Sequence, residues 1–254
     1  MNYSFLFVIS SSINHFSSED FARNSNHERF LQTLETIESI KLKVPNSKIC
    51  LFELSHEPIE DEYKNKIKDK VDLFLEFGQD PEIITLYSNF YNHPELFKYG
   101  KSLLEIQGMM KTLDYIWQNH LFTETTRIFK ISGRYTLNKN FNISDYESIF
   151  LKGKYIGKYT NYHEHEPTTN VHYHVYRNPG NVYTSLWSFD SSLLYDTFKL
   201  LEKSFDYLQR MLLYTPGNDI EHSLYYFIDK NKLINCDYLG VTVRKGMDTE
   251  DYDL

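Results

Sequence analysis

The first half of the chain alternates short apolar runs with segments of helical periodicity. The apolar runs predict buried strands and cover residues 3–10, 48–54, 71–77 and 128–131. Helices are predicted between them by apolar residues at helical spacing within 30–40 and 103–117, and by a charged segment at 57–70. Such alternation is typical of a mainly parallel central sheet flanked by helices, so we expect an α/β, Rossmann-like fold.

The second half of the chain is less regular. Strands are predicted at residues 154–159, 171–177 and 239–243, and helices at 194–212 and 220–228. Glycines and prolines interspersed with aromatics indicate a loop at 78–100, and a turn is expected at 178–181. No Pro- or Ser-rich linker is present, so we expect one domain over 1–246 and an acidic tail over 247–254.

Composition excludes several classes of protein. The formal net charge of -8 argues against broad nucleic-acid binding, which requires clustered positive charge. The two cysteines lie in apolar stretches and predict reduced thiols, and no apolar run approaches the length of a membrane span. We therefore expect a soluble, cytoplasmic protein. A single alanine beside 21 tyrosines and 18 phenylalanines is typical of an AT-rich coding genome.

A candidate ligand site lies in the stretch from Arg127 to Tyr135. It predicts a short buried strand that stops at a Ser132-Gly133 break and projects Arg134 and Tyr135 from its carboxyl end. Ligands of open α/β sheets bind at that edge. The planar guanidinium of Arg134 suits a phosphate group there, although an ordinary surface or ion-paired arginine would have the same sequence.

Several short motifs, in their order along the chain, resemble small GT-A-type glycosyltransferases of polysaccharide gene clusters, large DNA viruses and phages. The first strand is followed by Thr36–Ile40 with Pro45-Asn46-Ser47, by Lys101-Ser102 with Glu105, by Lys130–Tyr135, by Tyr183–Phe189, by Asp219–His222 and by Gly240–Gly246. This resemblance implies a single GT-A-like domain that transfers a sugar from a UDP- or GDP-sugar to a glycan hydroxyl. The implied donor site lies at the ends of the first, second and fourth strands and includes Ser10, Ser11, Glu53, Lys130, Ser132, Arg134 and Tyr135.

The resemblance departs from many of these enzymes at the metal site. They carry an Asp-x-Asp pair that holds Mn²⁺ or Mg²⁺ on the diphosphate, whereas this chain has Ser132-Gly133-Arg134 at that place. Cations are the obvious substitutes for the metal, and the candidates are Lys101, Arg134, Arg244 and Lys245. The alternative for Arg244 and Lys245 is a solvated basic pair. Asp251 and Asp253 also form an Asp-x-Asp string, which we interpret as part of the tail.

If the reaction inverts the anomeric centre, the acceptor hydroxyl requires a general base, for which Glu221 and Asp219 are the candidates. Asp219 occupies the position of a helix N-cap, which is its structural alternative. Glu221 flanks a buried stripe, so burial could raise its pKa, or it could be a purely structural acid. Farther upstream, Ser102 and Glu105 have the spacing of a capping box, and Lys101 could instead reach a donor oxygen.

Four histidines provide the main alternative functions. His163, His165, His172 and His174 alternate along two segments that could pair, and four imidazoles on one sheet face could bind Zn²⁺. Surface histidines or an acceptor-binding loop would have the same pattern. The sequence thus also allows a metal-dependent enzyme, and it allows a non-catalytic carbohydrate-binding protein on the same fold.

Overall fold

A computed structural model describes residues 3–14, 25–91, 97–161, 180–214, 219–244 and 252–254. Their strands are β1 (Phe5–Ser11), β2 (Lys48–Glu53), β3 (Leu73–Glu76), β4 (Arg127–Ser132), β5 (Thr136–Leu137), β6 (Tyr155–Asn161), β7 (Gly180–Asp190), β8 (Leu233–Asn235), β9 (Val241–Val243) and β10 (Tyr252–Asp253). Their α-helices are α1 (Asn26–Lys43), α2 (Asp61–Lys68), α3 (Pro81–Tyr91), α4 (Phe97–Gln118), α5 (Leu194–Tyr214) and α6 (Ile220–Phe227).

A seven-stranded sheet in the order β3-β2-β1-β4-β7-β6-β8 forms the centre of the fold. The first four strands are parallel, β7 is antiparallel to both of its neighbours, and β8 is parallel to β6. Only β7 therefore runs against the common direction. The predicted α/β class, with a mainly parallel sheet flanked by helices, is confirmed.

Helices cover both faces of the sheet, and this explains the near-continuous apolar strands. On β1, Leu6 and Val8 pack in a core cluster with residues of α4, whereas Phe7 and Ile9 pack on the opposite face with residues of α1. Every residue of β1 is buried. A strand that is buried on both faces has no polar side to alternate with, so its sequence reads as a continuous apolar run.

A second, three-stranded sheet has the order β10-β9-β5. Tyr252 and Asp253 pair with Val243 and Thr242, and the Leu254 backbone exchanges hydrogen bonds with Gly240 and Val241. The prediction that these last residues belong to an acidic tail is therefore wrong for Tyr252–Leu254. Residues 245–251 lie outside the described part of the chain.

The largest local correction concerns the segment predicted as a loop at 78–100. Residues Pro81–Tyr91 form α3, and α4 begins at Phe97. The Asp80 carboxylate accepts from the Glu82 amide at 3.0 Å, and Pro81 occupies the first helical position, where its missing amide hydrogen costs nothing. Ile83, Leu86 and Phe90 form the buried stripe of α3, which the surrounding glycines and aromatics obscured.

Two further boundaries differ from the prediction. The expected turn at 178–181 overlaps the start of β7, an 11-residue strand whose buried residues continue to Phe189. The strand expected at 171–177 lies outside the described residues. In the described part of the chain, no helix combines the length and the apolar character needed to cross a membrane.

Candidate active site

A cleft opens at the carboxyl ends of β1, β2 and β4 and contains about 910 Å³ of space, part of it open to solvent. Seven of the expected donor-binding residues line it, namely Ser10, Ser11, Lys101, Lys130, Ser132, Arg134 and Tyr135. They meet because parallel strands end at the same edge of the sheet, to which α4 adds Lys101. This is the edge at which ligands of open α/β sheets bind.

Three cationic side chains, those of Arg29, Lys101 and Arg134, share the cleft. Burial lowers the pKa of Arg29 to about 10, and the nearby Arg134 lowers it as well. Burial also lowers the pKa of Lys101, and the charges of Arg134 and Arg29 act in the same direction. The three side chains are thus close enough to repel one another. This repulsion is relieved when an anion binds among them.

Arg29 is held in place by the first turn of α1. Ser25 caps this helix, and Ser25 and Glu28 form a reciprocal capping box. The Arg29 guanidinium donates from Nη1 to the Ser12 carbonyl at 3.1 Å, while its buried Nε has no hydrogen-bond partner among the described residues. One donor therefore fixes the side chain, which is part of the lining of the cleft.

The Ser132-Gly133 break positions Arg134. The Gly133 amide donates to the Ser10 carbonyl at 2.8 Å, which binds the end of β4 to the end of β1. A Cβ at Gly133 would lie 3.2 Å from the Ser10 carbonyl oxygen and 3.3 Å from Thr33 Oγ1, so a larger residue would crowd this turn. Arg134 has no ion-pair partner among the described residues.

An ion pair between Lys130 and Glu105 lies deeper in the cleft. The Lys130 side chain is 3% exposed and that of Glu105 is 24% exposed. Ser10 Oγ donates to Glu105 Oε1 at 3.2 Å. The capping-box prediction for Ser102 and Glu105 is wrong, because α4 begins upstream at Phe97 and Ser102 Oγ instead accepts from the Ile220 amide at 3.2 Å.

Glu53 occupies a fully buried position beside the cleft. Its Oε1 accepts hydrogen bonds from the Ile13 amide at 3.0 Å, the Ser55 amide at 2.9 Å and the Ser55 hydroxyl at 2.6 Å. Burial raises the pKa of Glu53. Because the side chain has no exposed surface, its contribution to a ligand site is to hold together the loops that follow β1 and β2.

The two acids at the start of α6 have different environments. Asp219 is the N-cap and accepts from the His222 amide at 3.2 Å and from His222 Nδ1 at 2.7 Å. Glu221 accepts from the Thr184 amide at 3.0 Å and from the Thr184 hydroxyl at 3.3 Å. Burial, and then the Asp219 charge, raises the pKa of Glu221. Neither acid is among the residues that line the cleft, but Glu221 is hydrogen-bonded to Thr184, which does line it.

The remaining expected residues do not reach the cleft or lie outside the described chain. Arg244 follows β9 and forms an ion pair with Glu35 on α1, so the expectation that it lines the phosphate site is not met. Lys245 lies outside the described residues. The same holds for the four histidines of the proposed metal cluster, His163, His165, His172 and His174.

The side chains of the cleft do not fit a divalent metal ion. Ser132-Gly133-Arg134 offers no carboxylate, and Glu53 is fully buried with its Oε1 engaged by three protein donors. The Lys130 ammonium beside Glu105 would repel a divalent cation at that carboxylate. Among the described residues, no group of three or more histidine, cysteine, aspartate or glutamate side chains could hold a metal.

Sequence reasoning missed Arg29, Tyr87 and Thr184, which also line the cleft. Arg29, Thr33 and Thr36 recur at helical spacing and are all buried, so this polar stripe was the available signal for Arg29. Tyr87 lies on the helix that the sequence did not predict, and Thr184 on the strand whose start it placed in a turn.

No family model matches the chain, and no curated protein matches it in sequence. Solved structures do resemble it. A glycosyltransferase involved in glycosylation of the major capsid of PBCV-1 is 11% identical, with a TM-score of 0.35 over 91% of this chain and 81% of that one. The galactosyltransferase LgtC, in complex with donor and acceptor sugar analogs, is 10% identical, with a TM-score of 0.48 over 91% and 72%.

A 4-diphosphocytidyl-2C-methyl-D-erythritol synthase from Anaerococcus prevotii is also 10% identical, with a TM-score of 0.40 over 94% of this chain and 89% of that one.

Proposed function

We propose that the protein is a glycosyltransferase that moves a sugar from a UDP- or GDP-sugar to a hydroxyl group of a glycan. The observation that supports this proposal is the cationic cluster of Arg29, Lys101 and Arg134 at the carboxyl edge of the parallel strands. Like charges that approach one another in a partly buried cleft indicate an anionic ligand. A nucleoside diphosphate has the required charge.

The same cluster has a role in the reaction. Breaking the bond between the anomeric carbon and the phosphate oxygen leaves the electron pair on the diphosphate. Fixed positive groups stabilise that developing charge without having to reorganise during the reaction. In this proposal Arg134 is the main contact, because it has no ion-pair partner among the described residues, and Arg29 and Lys101 complete the charge compensation.

Glu221 is the proposed general base. The acceptor oxygen attacks the anomeric carbon as the bond to phosphate breaks, and the acceptor proton moves to the Glu221 carboxylate. Burial makes this carboxylate more basic than an exposed glutamate, which suits a base that acts near neutral pH. The hydrogen bonds from Thr184 hold Glu221 beside the cleft that receives the donor.

The proposal predicts a specific effect of Arg134→Ala. Loss of charged hydrogen bonds to the diphosphate, worth about 1.5–3 kcal/mol, should weaken donor binding by about 10- to 100-fold. Arg210→Ala is the matched control, because Arg210 is exposed on α5. Calorimetry with UDP, GDP and a panel of their sugars measures binding, and product analysis with glycan acceptors measures transfer.

Chelation provides a second readout for the same proposal. Because the cluster replaces a metal, EDTA should leave the transfer rate of the wild-type protein unchanged. Equal donor affinity in the Arg134→Ala and Arg210→Ala proteins, or complete inhibition by EDTA, would contradict the proposed mechanism. Donor binding without any transfer or hydrolysis would instead indicate a binding protein.

A further inference from the structure

The charge of the cleft changes along α4. Lys101 and Glu105 are separated by one helical turn, so their side chains leave the same face of the helix. Lys101 lies within the electrostatic range of Arg29 and Arg134. Glu105 instead contacts Lys130 and Ser10. The cleft thus has a cationic region at the first turn and an ion-paired region at the next.

The ion pair joins the sheet to α4. Lys130 lies on β4, and its ammonium group contacts Glu105 and, at 3.5 Å, the Thr184 carbonyl on β7. Because Lys130 is almost fully buried, Glu105 compensates its charge. The pair contributes little net charge to the cleft, so it adds little to the binding of a diphosphate.

One oxygen of the Glu105 carboxylate can still accept hydrogen bonds from a ligand. Every hydrogen bond that Glu105 accepts from a described residue is made by Oε1. The side chain is 24% exposed and lines the cleft, where it is the one carboxylate among the described lining residues. Oε2 can therefore accept hydrogen bonds from a molecule in the cleft.

A carboxylate at this place favours some ligands and opposes others. It would repel a phosphate, and it accepts strong hydrogen bonds from hydroxyl groups. Burying an ion pair is expensive, and apolar residues would stabilise the same space at least as well. Both considerations suggest that the pair serves to recognise the part of the donor that carries hydroxyl groups.

We propose that the Lys130–Glu105 pair forms the floor of the sugar subsite, where Glu105 Oε2 accepts hydrogen bonds from hydroxyl groups of the transferred sugar, and that the enzyme therefore selects a neutral sugar over one that carries a carboxylate. This inference rests on the proposed transfer from a nucleotide sugar. It assigns the diphosphate to the Lys101 turn of α4 and the sugar to the Glu105 turn.

The wild-type protein provides the first test. Binding is measured by calorimetry for UDP and GDP and for matched donors that differ only by oxidation of the sugar C6 alcohol to a carboxylate. UDP-glucose with UDP-glucuronate, UDP-galactose with UDP-galacturonate and GDP-mannose with GDP-mannuronate are suitable pairs. Repulsion by Glu105 should make the neutral member of the preferred pair bind at least about tenfold tighter. Equal binding, or tighter binding of the uronate, would overturn the inference.

Glu105→Gln provides the second test. The substitution removes the repulsion and leaves the Lys130 cation uncompensated, so the preference for the neutral member should fall at least about tenfold. Affinity for UDP or GDP alone should stay the same or rise, because neither contains the transferred sugar and an uncompensated Lys130 attracts the diphosphate. A purely structural role of Glu105 would weaken the nucleotide and both sugars alike and would leave their ratio unchanged, which would overturn the inference.

A second variant separates the loss of the Glu105 carboxylate from any misfolding that an unpaired Lys130 causes. Glu105→Gln combined with Lys130→Gln removes both charges and should also abolish the preference. If the wild-type protein binds neither the nucleotides nor their sugars, the proposed function fails, and this inference fails with it. If donors bind and react but the preference is absent or survives both variants, only the sugar-subsite inference fails.

Discussion

Asp219 and Glu221 illustrate how two neighbouring acids acquire different roles. Asp219 accepts the hydrogen bonds of a helix N-cap, whereas Glu221 is withdrawn from solvent beside the cleft. A carboxylate engaged by the end of its own helix is a structural group. A carboxylate whose pKa is raised by burial is the better candidate for a base.

This difference predicts the effects of Glu221→Gln and Asp219→Asn. Glu221→Gln should lower the turnover number by about 10²- to 10⁴-fold, the usual contribution of a general base. Asp219→Asn should lower it only slightly, because asparagine is an equally good N-cap. Steady-state kinetics with the preferred donor and acceptor measure both effects, and melting temperatures report whether the variants are folded.

The same assignment predicts a pH dependence. The base works only when it is ionised, and burial raises the pKa of Glu221 above the ordinary glutamate value. The turnover number of the wild-type enzyme should therefore decrease as the pH falls through that raised pKa and remain level above it. The Glu221→Gln enzyme should lack this decrease. A decrease that persists in the variant would assign the titration to another group.

At the scale of elements, α4 connects the core to the cleft. It carries Lys101 and Glu105 into the cleft, and its Ser102 hydroxyl accepts from the first amide of α6. Gly108 lies where the helix approaches β2. A Cβ at this position would be 2.7 Å from the Phe52 ring and 2.8 Å from the Leu54 side chain. The absence of a side chain thus sets the distance between helix and sheet.

Gly108→Ala should therefore destabilise the protein, although alanine favours helix. Overpacking costs about 1–3 kcal/mol, and the helix propensity of alanine offsets up to about 1 kcal/mol of it. We expect a melting temperature lowered by several degrees and a lower transfer rate, because α4 also positions Lys101 and Glu105. Differential scanning calorimetry and kinetics measure these effects.

Gly153→Asn is the matched control for this prediction. Gly153 has a φ of +67°, which asparagine tolerates, and no atom lies within 4 Å of the place that its Cβ would occupy. The Gly153→Asn substitution should have little effect on stability or on the transfer rate. Equal stability and activity of the Gly108→Ala and wild-type proteins would show that the helix can move away from the sheet without affecting the cleft.

At the scale of the whole molecule, charge is distributed unevenly. The chain has a formal net charge of -8, yet four cationic residues line one cleft, and only one of them, Lys130, is paired with a carboxylate that also lines it. An overall negative molecule repels anions except where local positive charge is concentrated. Binding of a nucleotide donor should accordingly be sensitive to ionic strength.

We expect the dissociation constant of the preferred nucleotide sugar to rise about tenfold between about 0.05 and 0.5 M salt, because ions screen the attraction between the cations and the diphosphate. In the Arg134→Ala protein the dependence should be weaker, since one charge is absent. Titration calorimetry at several salt concentrations measures both slopes. Identical slopes for the two proteins would mean that Arg134 does not contact the anion.

Particular residues show where sequence reasoning succeeds and where it stops. It placed Lys130 and Arg134 at the carboxyl edge of the sheet, where the structure has the cleft, because an apolar run followed by a Ser-Gly break marks the end of a buried strand. It missed Arg29, because an arginine in the first turn of a helix resembles a solvated residue until the helix is docked. It misread Ser102 and Glu105, because their capping-box spacing does not reveal that α4 begins upstream at Phe97.

The order of apolar runs and helical stripes along the chain was sufficient to determine the class of the fold. A strand that is buried on both faces of a sheet is apolar along its whole length, and this pattern can be read from the local sequence. The pairing of charges was decided by the tertiary structure alone. Arg244 is bound to Glu35, and Lys130 is compensated by Glu105, through contacts between segments far apart in the chain. Electrostatic attraction depends on distance in space, and no local pattern of residues records which distant side chains the folded chain brings together.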